Sequence, residues 1–223
     1  MQEKKRFRIA GYIGLLASLL MFAGDMLLYF TTQPFGDLDR ELLPSMGSIP
    51  SGRMFIGGLL GPLAACLYLV GFYHVYLAVK IPRGGVAKSM LVFLAFALVV
   101  GGAYHSLFPA FGIVATQGHP ELIGALLEYA KTLGLALFLL IGIGWLLFIY
   151  LVLRGRTLYP RWIIFVTPVV SVWLGLVWEH LPQPILIVLA GGWNSLVFTL
   201  FFATSLLVSR NKRENKRLHH PSI

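Results

Sequence analysis

Six runs of apolar residues, at about 9–30, 54–79, 89–111, 131–153, 161–181 and 184–208, are separated by breaks rich in Gly, Pro and charge. A bilayer core about 30 Å thick needs about 20 residues at a helical rise of about 1.5 Å, and each run meets that length. Backbone N–H and C=O groups in lipid must pair within their own segment. The runs also lack the alternation of barrel strands, so the pattern predicts helices. The expected fold is all-α: a polytopic transmembrane helix bundle with six spans, one integral membrane domain over 1–223 ending in a basic tail at 209–223.

The connections refine this picture. Pro34, Gly36, Pro44, Gly47, Pro50 and Gly52 predict an irregular loop between the first two spans. His119-Pro120-Glu121 reads as a helix start with Pro in first position. A fourth helix running from Pro120 to Leu153 would be about 51 Å long, whereas one starting near Lys131 would just fit the bilayer; both starts stay open. Leu181-Pro182-Gln183-Pro184 predicts a tight hairpin that makes spans five and six antiparallel neighbours. The first run is longer than a signal-peptide core, contains Asp25 and is followed by no small-residue cleavage pattern, so it reads as a retained helix.

Composition agrees. Of 223 residues, 57% are hydrophobic and only 12% charged, about half the charge of an average soluble domain; the mean hydropathy is +0.79. The single Cys66 excludes an internal disulfide and any cysteine-built metal site. The net charge of +9 raises the question of nucleic acid, but the basic residues cluster at helix ends instead of forming one stripe, and no nucleic-acid partner is expected. All but Arg40, Arg53 and Lys131 of the 18 Lys and Arg fall in the N-terminus, the second and fourth loops and the tail. The positive-inside rule then places both termini in the cytoplasm.

Small residues mark the packing faces. Gly11, Gly14, Ser18, Met21 and Asp25 form one stripe on the first span, and Gly57, Gly61 and Ala65 another on the second. Gly101 and Gly102 precede His105 by one turn, and Gly175 precedes Glu179. The pair Gly191-Gly192 before Trp193-Asn194 either breaks the last span or allows close packing, the second being favoured.

Ionisable groups within spans are costly and point to function. Asp25, His105, Glu179, His180 and Glu128 are expected at one level, in the outer third of the bilayer, with Asn194 nearer the midplane and His74 alone in the inner third. Three readings compete for that layer: polar residues that fix helix packing in a structural subunit, an outward-facing pocket that binds or translocates an ion, small molecule or lipid headgroup, and a membrane enzyme using His105 as base with Asp25 orienting it. No catalytic motif distinguishes the last: there is no H-E-x-x-H, G-x-S-x-G, phosphate loop or dinucleotide fingerprint. Neighbours Glu179 and His180 point about 100° apart on a helix, which argues against a shared metal ion. No metal or cofactor is expected, the candidate partners are the lipid bilayer and a small-molecule, ion or lipid ligand, and oligomeric state is unreadable.

The stretches GYIGLLASLLMFAGDMLLYF (11–30), YLVGFYHVY (68–76) and AYHSLF (103–108) resemble an uncharacterised family of bacterial six-helix membrane proteins, a domain of unknown function. The resemblance covers nearly the whole chain and implies a bacterial cytoplasmic-membrane location with no assigned activity.

Overall fold

The computed structural model describes residues 2–33, 41–80 and 84–219; the side chains of Pro120, Glu179, His180 and 210–219 lie outside that description. The described residues form helices joined by short connections, with no strand beyond an isolated antiparallel bridge between Val79 and Thr157. Among the described residues, four helices are long and apolar enough to cross a membrane: α1 (Gln2–Tyr29), α2 (Ser51–Leu77), α3 (Gly85–Thr116) and α4 (Pro120–Leu153). A fifth long helix, α5 (Trp193–His219), closes the bundle.

The fourth helix begins at Pro120, so all 34 residues are helical, a length of about 51 Å. Both it and α3 end against a glycine with positive φ, Gly155 at 65° and Gly118 at 74°, the left-handed geometry that terminates a helix without Cβ strain.

The fifth and sixth apolar runs are not single α-helices. Residues 161–180 form a 3-10 helix (Arg161–Val166), one α-turn (Pro168–Ser171) and a second 3-10 helix (Val172–His180). Pro168 explains the first break: it has no N–H to give the preceding turn and drives Thr167 to an extended conformation, φ −72° and ψ 143°. The Ile164 carbonyl accepts from both the Thr167 N–H at 3.2 Å and the Thr167 hydroxyl at 2.6 Å. In the sixth run a π-turn at Ile187–Gly191 precedes α5, so Gly191-Gly192 break the helix as well as letting it pack. A Cβ on Gly192 would overlap the Phe22 ring.

Close backbone approach holds the long helices together, as expected where apolar burial gives little net drive. A Cβ on Gly71 of α2 would lie 2.7 Å from Gly14 Cα of α1, one on Gly14 would meet Phe202 of α5, and one on Gly58 would meet Pro109 of α3. Two cores result. One surrounds Phe72, Met90, Trp145, Phe148, Phe201 and Phe202; a smaller one joins Leu28, Met46, Phe108 and Phe111.

The ends differ in how they are tied. At the end carrying Lys80, Arg154 and Arg156, called the basic end below, Lys80 N–H donates to the Arg156 carbonyl and Leu158 N–H to the Ala78 carbonyl, both at 2.8 Å, and Lys80 Nζ reaches the Gly155 carbonyl at 2.9 Å. These bonds pin the end of α2 to the end of α4. At the opposite end, Arg53 folds over the last turn of α1, donating to the carbonyls of Leu27 (2.7 Å), Phe30 (2.8 Å) and Met26 (3.2 Å). A guanidinium there satisfies orphan carbonyls and meets the negative end of the helix dipole.

Candidate functional site

Asp25 sits one turn from the Arg53-capped end of α1 and is buried, as is His105 on α3. Both exist there because the facing helix surface is bare. A Cβ on Gly61 of α2 would overlap the His105 ring, and one on Gly24 of α1 would come within 3.3 Å of His105 Nε2. The glycine stripe of α2 is thus the berth of the histidine.

His105 Nε2 lies 3.1 Å from the Gly57 carbonyl, which can only accept, so Nε2 carries the hydrogen and donates. That leaves Nδ1 facing Asp25 Oδ1 at 3.6 Å, an ion-pair separation too long for a hydrogen bond. The other carboxylate oxygen, Oδ2, accepts from Ser195 Oγ of α5 at 2.7 Å. Three helices therefore meet at the carboxyl group. Yet an ionised carboxylate has about four acceptor positions, and only one is filled by a hydrogen bond among the described residues.

The pair opens onto a cavity of about 1070 Å³ between α4 on one side and 168–198 on the other, with α1, α2 and α3 behind. Its walls are mainly apolar and aromatic, including Phe108, Phe138, Trp145, Trp173 and Phe198; besides Asp25 and His105 the polar exceptions are Tyr29, Tyr68, Tyr104, Lys131, Asn194 and Ser195. That composition, with a few convergent polar groups, is the usual character of a ligand pocket, and the volume stands at about the upper end of the range for such pockets. Phe138 and Trp173 line the cavity while exposing 55% and 62% of their surface. The cavity therefore has a side opening between α4 and 172–180, within the apolar belt.

Of the other expected residues, Asn194 lines the cavity and is exposed. Glu128 is exposed, outside the cavity lining, and pairs one turn along α4 with Lys131 at 3.4 Å. The side chains of Glu179 and His180 fall outside the described residues. Sequence reasoning missed Ser195 and Tyr68: adjacency to Asn194 is the only signal for Ser195, and Tyr68 has none beyond position within a span. Trp145, near the end of its run, reads in the sequence as a ring at headgroup level but is buried in the core.

His74 belongs to a separate, fully buried node at the basic end. Its Nδ1 donates to the Phe7 carbonyl at 2.7 Å, leaving Nε2 to accept from Ser205 Oγ at 2.6 Å, with the Tyr159 hydroxyl 2.6 Å from Ser205 and 3.2 Å from Nε2. Burial holds the Tyr159 phenol in its protonated form well beyond the ordinary tyrosine range, partly opposed by the bond to Ser205. This histidine-serine arrangement has the partners of a nucleophilic pair but is buried and lies outside the lining of the cavity at Asp25. It ties α1, α2, α5 and the 154–160 connection together. Among the described residues no group of three or more His, Cys, Asp or Glu could hold a metal ion.

No curated protein and no solved structure matches the chain. Residues 1–212 match one family, described as a family of unknown function (DUF6796). With nearly its whole length matched, the chain belongs to that family.

Proposed function

We propose that the protein crosses the bacterial cytoplasmic membrane six times, with both ends cytoplasmic, and binds a membrane-borne amphiphile whose cationic or hydrogen-bond-donating head sits at Asp25. The partition of basic residues supports the orientation. The fifth crossing is supported by reach: the 20 residues of 161–180, at about 1.5–2.0 Å each, extend roughly 30–40 Å, so a broken segment is still long enough.

The observation that carries the binding reading is the under-coordinated carboxylate of Asp25 at the wall of a large aromatic cavity. A buried acid that only fixed helix packing would have its remaining acceptor positions filled by protein. The side opening at Phe138 and Trp173 supports a ligand arriving from lipid.

The purified protein is titrated in detergent with hexadecylamine and followed by tryptophan fluorescence. Saturable binding is expected, weakened at least about tenfold in Asp25→Asn, since a hydrogen bond to a charged group contributes about 1.5–3 kcal/mol. Equal affinity in the variant overturns the assignment of the head to Asp25. A structural reading is favoured by one fact, that Asp25, His105, Ser195 and Gly57 link four helices. It predicts instead a lower unfolding temperature for Asp25→Asn and no saturable binding in either protein.

A further inference from the structure

We infer that the head bound at Asp25 is a primary ammonium, held between Asp25 Oδ1 and His105 Nδ1, and that it takes the place of a proton which the pair otherwise shares. This deepens the amphiphile reading above and rests on it.

The Gly57 carbonyl fixes the chemistry. It takes the hydrogen of His105 Nε2 at 3.1 Å, so a neutral imidazole presents only a lone pair at Nδ1. That lone pair faces Asp25 Oδ1 at 3.6 Å, and an ionised carboxylate oxygen also only accepts. Two acceptors facing each other in an apolar wall repel. Neither has another hydrogen-bond partner among the described residues, since Ser195 donates to Oδ2. Both residues line the cavity, and their side chains keep 7% (His105) and 11% (Asp25) of their surface open. Neither Nδ1 nor Oδ1 is one of the buried polar atoms sealed off without a partner. The facing atoms therefore call for a donor that arrives through the cavity.

Two donors fit. A single proton, on Nδ1 or Oδ1, turns the contact into an attractive one and leaves the pair without net charge. A primary ammonium nitrogen about 2.8 Å from each atom spans the 3.6 Å between them with two of its N–H groups, and it neutralises a carboxylate beside a neutral imidazole equally well. Proton and ammonium together would leave an uncompensated positive charge among apolar walls, which is costly. Binding thus exchanges one for the other: the ammonium enters and the proton leaves through the cavity to solvent. A quaternary ammonium offers no N–H to either atom, so the same gap selects against it. The surrounding groups do not replace the cation. Arg53 of α2 is engaged with the α1 carbonyls, Lys131 of α4 pairs with Glu128, and Tyr29, Tyr68 and Tyr104 of α1, α2 and α3 present phenols. From α5 come Ser195 and Asn194, and the 168–191 wall has no titratable side chain among the described residues. His105 is the one basic group within ion-pair distance of Asp25 among the described residues.

The test compares hexadecylamine with hexadecyltrimethylammonium, which share chain and charge but differ in N–H donors, on the purified protein in detergent. The wild type is expected to bind the amine at least about tenfold more tightly, because the quaternary probe forgoes two charge-assisted hydrogen bonds. His105→Phe keeps a ring and removes both nitrogens; with its unfolding temperature first checked, it should lose most of that preference. The proton is read with a pH indicator in weakly buffered solution. Between about pH 5 and 8, where the amine stays protonated, binding should release up to one proton per amine. By reciprocal linkage the affinity should rise with pH by up to about tenfold per unit. Asp25→Asn should release none. Equal affinity for the two probes, a preference unchanged in His105→Phe, or amine binding without proton release and independent of pH overturns the inference and leaves the amphiphile reading standing. Absence of saturable binding by either probe overturns the amphiphile reading itself.

Discussion

The close fit of His105 against α2 makes Gly61 the most informative single position. In Gly61→Ala the new methyl group would occupy the space of the His105 ring at Cγ and Cδ2. The imidazole is attached at the point of collision, so rotation of a flexible chain end cannot relieve it. Either α2 and α3 separate or the ring leaves its berth, which breaks the Nε2 bond to Gly57 and the approach to Asp25. Overpacking of a tight site costs about 1–3 kcal/mol, and the lost hydrogen bond adds about 1 kcal/mol. The expected destabilisation of about 2–4 kcal/mol corresponds to a drop of roughly 5–15 °C in unfolding temperature for a chain of this size. Gly124→Ala on α4 is the matched control. A Cβ there meets nothing within 4 Å, and alanine is the better helix former by up to about 1 kcal/mol, so stability should hold or rise. Thermal unfolding of both variants in one detergent, followed by size-exclusion chromatography, reads the difference. Equal unfolding temperatures would refute the idea that bare α2 surface is what admits His105.

Three further outcomes follow from named contacts. Arg53→Ala uncovers the terminal carbonyls of α1 and is expected to cost about 1–3 kcal/mol in thermal stability, with Arg53→Lys recovering only part because a single ammonium cannot reproduce the fork. Ser205→Ala leaves the His74 and Tyr159 polar atoms short of a partner; a loss of about 1–3 kcal/mol with unchanged hexadecylamine affinity separates this node from the cavity, and a parallel loss of affinity would contradict that separation. In a Cys66→Ala background, cysteines at Thr31 or Gln117 should react with an impermeant maleimide on intact cells and one at Arg156 only after permeabilisation; the reverse pattern overturns the proposed orientation.

What the sequence revealed depended on which physical signal each feature leaves. Length and apolarity were enough for α1 to α4, and His119-Pro120-Glu121 marked the true start of α4. The shared glycine stripes pointed to Asp25 and His105, whose side chains lie 3.6 Å apart. Hydropathy, however, reports that a segment is apolar and not which hydrogen-bond ladder it adopts, so 161–180 read as a plain helix despite Pro168 in its middle. Ser195 escaped notice for a related reason. It lies one residue past Asn194, about 100° round the helix, and only the break at Gly191-Gly192 sets the phase that turns Ser195, not Asn194, toward Asp25.

The bridge at Val79 and Thr157 constrains how the cavity can breathe. With the connection just after α4 fastened to the connection just after α2 by main-chain bonds, a tilt of that 34-residue rod would pivot there, and displacement would grow with distance from the pivot. Trp145, eight residues from the fastened end, would barely shift, while Phe138 and Lys131 would travel progressively further. Such a tilt would act as a clothes peg does, widening the jaw near Asp25 over a throat of constant bore.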